Sequence, residues 1–204
     1  MAETAAHLVD HIIPPLPVRQ WVRSVPKRLR WYLAREPQAL SPVLRILLRL
    51  SEAHPRRSSG DSSGARFGAV SFIHRFCAAL NRHVHHHCCI NDGVFEPVEE
   101  ADDGPQSVRF GAAAELTPEA VAAITERVLV RVLRWFACGG LIEPEDVREM
   151  LTWENSGFSL DGSRYAHRYS EWRSAGAPAA VVYLCTRPPN VRSVAHCCRW
   201  QLKA

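Results

Sequence analysis

Three histidines alternate with other residues in the run His83-Val84-His85-His86-His87. Side chains of a β-strand point alternately to the two faces of its sheet, so a strand here would place His83, His85 and His87 on one face. Neutral imidazole is a common ligand of divalent metal ions, and three on one face could hold such an ion. The alternative is a strand that is histidine-rich by chance. The run is internal and lies between apolar residues, so it is not a terminal tag.

The segments on either side of this run indicate the strands that would position it. Residues 67–76 are rich in aromatic and β-branched side chains, which is typical of a strand. The short connection at 78–82 would make that strand the antiparallel neighbour of the histidine strand. Asn91-Asp92-Gly93 then gives a strong turn signal. The sequence therefore predicts two adjacent antiparallel strands with a metal-binding face on the second.

Helices with one apolar side would cover such a sheet. The clearest begins at Thr117-Pro118-Glu119, with a capping side chain, a proline at the first helical position and an acid near the positive end of the dipole. Its apolar residues keep helical spacing until Gly139-Gly140. Ser41-Pro42 suggests the cap and start of another helix toward Ala53, and the polar residues 55–64 indicate a flexible loop.

A sheet with helices laid on it is an α+β fold, here with an antiparallel sheet that carries the histidines. The remaining patterns predict helices at 2–13, 27–34 and 143–153, and strands at 18–25, 107–112 and 181–185. We divide the chain into a basic N-terminal part, a metal-binding core with the long amphipathic helix, and an irregular tail that is poorly ordered or non-native in sequence: residues 1–66, 67–160 and 161–204.

The segment from Phe67 to Pro97 resembles the metal-binding core of the HUH single-strand endonucleases, and most of all the rolling-circle insertion-sequence transposases with tandem catalytic tyrosines. Relatives read approximately Asn-x-His-x-His-x-His, then a short apolar run ending in Asp-Gly. Here these positions are Asn81, His83, His85, His87 and Asp92-Gly93. A looser resemblance extends from about Met1 to Leu160, through residues 3–10, 17–22 and 153–157.

The resemblance implies a metal-dependent reaction on DNA. In the superfamily, two histidines flank one bulky hydrophobic residue and bind Mg²⁺ or Mn²⁺. The pair here is either His83 with His85 or His85 with His87, so His85 belongs to both. The implied function is DNA transposition, in which single-stranded element ends are bound and a tyrosine cleaves and transfers the strand. The alternative is a non-catalytic metal- or DNA-binding module.

The nucleophile is the part of the resemblance that rests on spacing alone. The family's two tyrosines lie four residues apart on a helix, and Tyr165 and Tyr169 have that spacing. The residues around them do not match the family motif, and relatives place their tyrosines farther downstream. Relatives also begin with a cysteine-rich zinc module, for which Met1 onward has no counterpart. The sequence thus predicts a transposase fragment that is truncated at both ends.

The positive charge is concentrated in the N-terminal part. The net charge is +4, yet no acidic residue lies between Arg19 and Glu36. Such clusters supply the salt-sensitive part of nucleic-acid binding, so we predict DNA contact by five residues: Arg19, Arg23, Lys27, Arg28 and Arg30. Trp21 and Trp31 lie among these charges and could stack on unpaired bases, but burial in the core is the simpler interpretation of each.

Composition excludes several other classes of protein. No apolar run approaches the roughly 20 residues that span a membrane, and the N-terminus lacks the pattern of a secretion signal. Seven cysteines, including two adjacent pairs, favour free thiols and a cytoplasmic, nucleoid-associated protein. A single histidine cluster argues against nickel or zinc storage. A cysteine hydrolase using Cys88 or Cys89 is disfavoured, because no glycine-rich nucleophile turn precedes them.

Overall fold

Two antiparallel sheets and four helices make up this computed structural model, which describes residues 16–58, 64–76, 81–97, 108–154, 157–166 and 182–183. The strands are β1 Val18–Ser24, β2 Ala69–Phe76, β3 Arg82–Asn91, β4 Gly93–Pro97, β5 Val108–Ala112, β6 Ser159–Ala166 and β7 Val182–Tyr183. The helices are α1 Lys27–Arg35, α2 Pro37–Ser58, α3 Pro118–Cys138 and α4 Pro144–Leu151. None of the described helices is long and apolar enough to cross a bilayer.

The histidine strand lies at the centre of the larger sheet, whose order is β6-β1-β3-β2-β7. Both neighbours of β3 run antiparallel to it, and β2 pairs so that His74 lies opposite His85. The predicted pairing of residues 67–76 with the histidine strand is therefore confirmed, as is the α+β fold class with an antiparallel sheet that carries the histidines. Strands β4 and β5 form a separate two-stranded sheet.

The two faces of β3 have different surroundings. Val84, Cys88 and Ile90 point into the hydrophobic core with the helices, while His85 and His87 belong to the other alternation and are half-buried. The helices supply most of the core, which includes Leu29, Leu33, Leu44, Leu47, Val128, Val132 and Phe136. Burying each such side chain contributes about 1.5–3 kcal/mol to the stability of the fold, so the helices stabilise the sheet through its apolar face.

The long helix α3 begins as its sequence predicts, whereas α2 does not. Thr117 accepts a hydrogen bond from the backbone N–H of Ala120 at 3.2 Å, and Pro118 is the first helical residue. The prediction that Ser41 caps α2 is wrong, because the helix begins at Pro37 and contains Pro42. Pro42 cannot donate to the carbonyl of Gln38. The buried residues Ala39 and Leu40, just before this proline, stabilise the turn that it weakens.

The expected loop at residues 55–64 is also wrong in its first part, since α2 continues to Ser58. The Arg56 guanidinium binds the Glu52 carboxylate at 2.7 Å, one helical turn earlier, and also donates to the carbonyl of Ala65. The helix predicted at 2–13 lies outside the described residues. The three-part division of the chain stays a prediction, although β1 from the first part pairs directly with β3.

The Asn91-Asp92-Gly93 turn redirects the chain from the larger sheet to the smaller one. A Cβ atom on Gly93 would lie 2.3 Å from the backbone oxygen of Gly111 and 2.5 Å from the Phe110 ring. Contacts this short with backbone cannot be relieved by a side-chain rotation. The glycine therefore permits the close approach of β4 and β5 where the two sheets meet.

We expect Gly93→Ala to lower the free energy of unfolding by about 1–3 kcal/mol, because β4 and β5 must separate to admit the methyl group. Gly139→Ala is the matched control, since its Cβ would meet no atom closer than 3.4 Å. Urea denaturation of the two variants measures the difference. Equal stability of the Gly93 variant and the wild type would contradict the proposed close contact.

Candidate metal centre

Three histidines meet on the sheet face opposite the helices. His74 comes from β2, and His85 and His87 come from β3. One ring nitrogen from each lies within 4.8 Å of the other two, and the ring centroids are 4.6–5.1 Å apart. An ion bound at about 2.1 Å to each of two nitrogens requires those nitrogens to lie closer together than 4.8 Å. Small side-chain rotations would bring them to that separation. We call His74, His85 and His87 the histidine triad.

The hydrogen bonds around the triad leave nitrogens available for an ion. His85 Nδ1 donates to the backbone oxygen of His83 at 2.7 Å, which leaves the lone pair on Nε2. His74 Nε2 is buried and has no hydrogen-bond partner among the described residues. A buried nitrogen without a partner costs free energy unless a ligand satisfies it. These two observations fit a bound metal ion.

The third histidine of the triad, His87, contacts Gln20 of the neighbouring strand β1. The side-chain amide of Gln20 lies 2.8 Å from His87 Nδ1, and its oxygen has no partner in this orientation. A half-turn of the amide would let the oxygen accept from Nδ1–H, so that Nε2 of His87 could bind an ion. Gln20 therefore lies in the position of an outer residue that fixes the orientation and tautomer of a ligating histidine.

His74 is the member of the triad that the sequence patterns did not indicate. Residues 67–76 were predicted as the neighbouring strand, but composition alone does not say which of them lies opposite His85. The register between β2 and β3 shifts between His74 and Phe76, so counting back from the short connection does not give the pairing. The sequence signal was the histidine itself, in a strand predicted beside the one that carries four other histidines.

His83, the first of the three alternating histidines, lies outside the triad. Its Nε2 is 2.8 Å from the Ser24 hydroxyl, which is 3.4 Å from the guanidinium of Arg30. Burial lowers the pKa of His83, and the charge of Arg30 lowers it further. Of the two pairs that the sequence left open, only His85 and His87 are both members of the triad.

Behind the triad, on the core side of β3, His86 contacts a buried arginine. Arg23 is completely buried, and its terminal nitrogen lies 2.5 Å from His86 Nδ1. Burial lowers the pKa of Arg23 to about 10, and burial together with the Arg23 charge holds the pKa of His86 well below its ordinary value. His86 is therefore neutral and accepts from the guanidinium. Two other Arg23 nitrogens and His86 Nε2 have no hydrogen-bond partner among the described residues.

The five residues predicted to contact DNA lie in three different environments. Arg23 is in the core, where a ligand from solvent cannot reach it. Arg19 binds the Asp92 carboxylate at 2.8 Å and is mostly buried. Lys27, Arg28 and Arg30 belong to α1, where the Lys27 side chain is exposed and Arg28 is paired with Asp146. The part of the predicted surface that solvent reaches is therefore on α1.

The candidate nucleophiles differ in what the structure describes. Tyr165 lies in the edge strand β6 and pairs with Arg19, so its backbone is not helical, and Tyr169 lies outside the described residues. Cys88 and Cys89 are both buried, and burial raises the pKa of Cys88 to about 11 and that of Cys89 further. Since the thiolate is the reactive form, neither cysteine is activated at neutral pH.

A family of known proteins matches most of the sheet and the whole triad. The family is described as "Putative transposase", and its model matches residues 68–185, which is more than half of the chain. The chain belongs to this transposase family. No curated protein and no solved structure matches the chain. The partner of a transposase is DNA, so the triad lies in the matched part of a DNA-acting protein.

Proposed function

We propose that this transposase is of the rolling-circle HUH type, and that it holds a divalent metal ion at the histidine triad to act on single-stranded DNA. The observation that carries the proposal is the triad itself, on adjacent central strands of an antiparallel sheet and within the residues that match the family. The unpartnered nitrogen of His74 supports occupation by an ion. The resemblance around Asn81 and Asp92-Gly93 supports the HUH type.

The chemistry of the ligands favours Mn²⁺ over Mg²⁺. Imidazole nitrogens suit transition ions, whereas Mg²⁺ takes oxygen ligands and keeps several waters. The triad offers three nitrogens and no carboxylate. We therefore assign Mn²⁺ as the better fit of the two ions implied by the resemblance. When bound, such an ion polarises a phosphodiester and stabilises charge on its oxygens.

The protein's own residues would hold the ion and orient the DNA. His74, His85 and His87 would bind the ion, and Gln20 with the His83 carbonyl would keep two of these rings in place. The exposed cations of α1 would neutralise DNA phosphates. A tyrosine hydroxyl would lose its proton and attack the phosphorus; the tyrosine would become joined to the 5′ end of the cut strand while the bond to the 3′ oxygen breaks and leaves a 3′-hydroxyl. The candidates are Tyr165, which lies in strand β6 and not on a helix, and Tyr169.

The test is incubation with Mn²⁺ and labelled single strands that carry element ends, followed by native and denaturing electrophoresis. We expect native gels to show retention of the strand, and that retention weakens steeply with salt as counterions compete for the phosphates. We expect little or no covalent adduct, because the residues around Tyr165 and Tyr169 do not match the family's motif.

Three results would change this proposal. An adduct that disappears in Tyr165→Phe or Tyr169→Phe would identify the nucleophile and a working strand transferase. Retention without any adduct, also at high Mn²⁺, would favour the second candidate, a non-catalytic DNA- and metal-binding module. Equal retention of single strands and duplexes of the same sequence would contradict the single-strand preference of the HUH type.

A further inference from the structure

An exposed tryptophan stands on the basic helix α1. Trp31 is 54% exposed, whereas Trp21 is 4% exposed and packs in the core, so the core interpretation holds for Trp21 and is wrong for Trp31. Helix α1 is anchored without Trp31, because Leu29 and Leu33 are buried on its inner side. The ring contacts Tyr32 edge-on and lies outside the core, and an exposed aromatic ring among cations can stack on an unpaired base.

Cations lie on the same side of α1 as this ring. Lys27, Trp31 and Arg35 are spaced by four residues, so they form one row along the helix. Neither Lys27 nor Arg35 makes an ion pair with any of the described residues, and Arg35 lies over the Trp31 ring at 4.4 Å. The row is about 12 Å long, which is enough for more than one nucleotide. Its charge is complementary to a phosphate backbone.

A chain of polar contacts connects α1 with the metal face. Arg30, next to Trp31, donates to the Val25 carbonyl at 2.7 Å and lies 3.4 Å from the Ser24 hydroxyl. That hydroxyl is 2.8 Å from His83 Nε2, and the His83 ring is 4.9 Å from that of His85. The start of α1 therefore adjoins the end of the histidine row.

We propose that Lys27, Trp31 and Arg35 form a platform for single-stranded DNA, in which Trp31 stacks on an unpaired base and the two cations bind the flanking phosphates. The proposal rests on the proposed function, and it extends it to residues outside the part that matches the family. Stacking on an aromatic ring needs an unpaired base, while the bases of a duplex are already stacked on each other. The platform thus selects single strands at a distance from the metal ion.

The test compares the binding of an oligothymidylate strand with that of a duplex, for the full chain and three single variants, as a function of salt. We expect Trp31→Ala to weaken single-strand binding by about 10–100-fold, with the salt slope unchanged, because a stacking contact releases no counterion. Trp31→Phe should keep most of the affinity. Lys27→Ala should weaken binding to every sequence and reduce the salt slope by about one.

The control is Trp153→Ala, which removes another exposed tryptophan, two residues after the last residue of α4. If the wild type binds single strands and Trp31→Ala binds them with the same affinity, the platform is overturned and the proposed function still stands. Failure of the wild type to bind single strands would overturn both. Sedimentation of Trp31→Ala completes the test, since a lost dimer would mean that Trp31 contacts a second copy of the chain and not a base.

Discussion

Mn²⁺ titration of His85→Ala is expected to show an affinity at least about 100-fold below that of the wild type. Mutation of a residue that only hydrogen-bonds a ligand lowers metal affinity by about 10–100-fold, and the loss of a ligand itself should lower it more. The His85 nitrogen that faces the triad is already oriented by the His83 carbonyl, so no other side chain replaces it. His74→Ala should have an equally large effect. It tests the member of the triad that comes from a different strand.

The matched control for this prediction is His83→Ala. The His83 ring lies 4.9 Å from that of His85, but its Nε2 contacts the Ser24 hydroxyl and His83 is not one of the three residues whose ligand atoms converge. We therefore expect the affinity to change by less than about tenfold. Circular dichroism should show the wild-type fold in all three variants. A large loss in His83→Ala with no loss in His74→Ala would replace the triad by the row His83, His85 and His87.

Metal binding by the wild type should also depend on pH. Only neutral imidazole binds an ion, so the affinity for Mn²⁺ should fall as the pH drops below about 6.5. Burial lowers the pKa of His74, and the neighbouring His85 lowers it further, so His74 remains neutral to a lower pH than an exposed histidine. Titrations at several pH values measure this dependence, and a constant affinity down to pH 5 would argue against imidazole ligands.

His86→Leu is expected to lower the free energy of unfolding by about 3 kcal/mol or more, because it removes the acceptor of a fully buried guanidinium. Arg23→Met should be far less destabilising, because it removes the buried charge itself. It leaves Nδ1 of the neutral His86 without a donor, but it also removes two guanidinium nitrogens that have no partner among the described residues, so we expect a stability close to that of the wild type. Replacing both members of such a buried pair by apolar side chains is often neutral or stabilises by about 1–4 kcal/mol.

The double variant with Arg23→Met and His86→Leu tests the coupling of the two side chains. Once the arginine is gone, the loss of its acceptor no longer leaves a charge unpaired, and His86→Leu then removes a buried ring without partners. The double variant should therefore be at least as stable as Arg23→Met. Urea denaturation of the four proteins completes the cycle. Additive effects would mean that Arg23 and His86 contribute independently. A DNA-binding assay of Arg23→Met should give the wild-type affinity, since the side chain lies in the core.

Local patterns predicted the parts of this fold that depend on neighbouring residues in the chain. The alternation in β3 predicted which histidines share a face, and Thr117-Pro118 predicted the start of α3, because both depend on backbone geometry within a few residues. His74 required the register between two strands, which a bulge shifts. The burial of Arg23 and the exposure of Trp31 depend on which helix covers which face. Residue type alone favours the opposite placement for both.

The histidine run has a consequence for how the sheet folds. A slip of β3 by one residue would exchange its two faces, so that His86 would point to the metal face and His85 and His87 would enter the apolar core. A run of three consecutive imidazoles discriminates weakly between these two alignments. The contact of His86 with Arg23 exists in only one of them. We infer that the buried pair favours the observed alignment of the central strand over the slipped one, whatever its net contribution to stability.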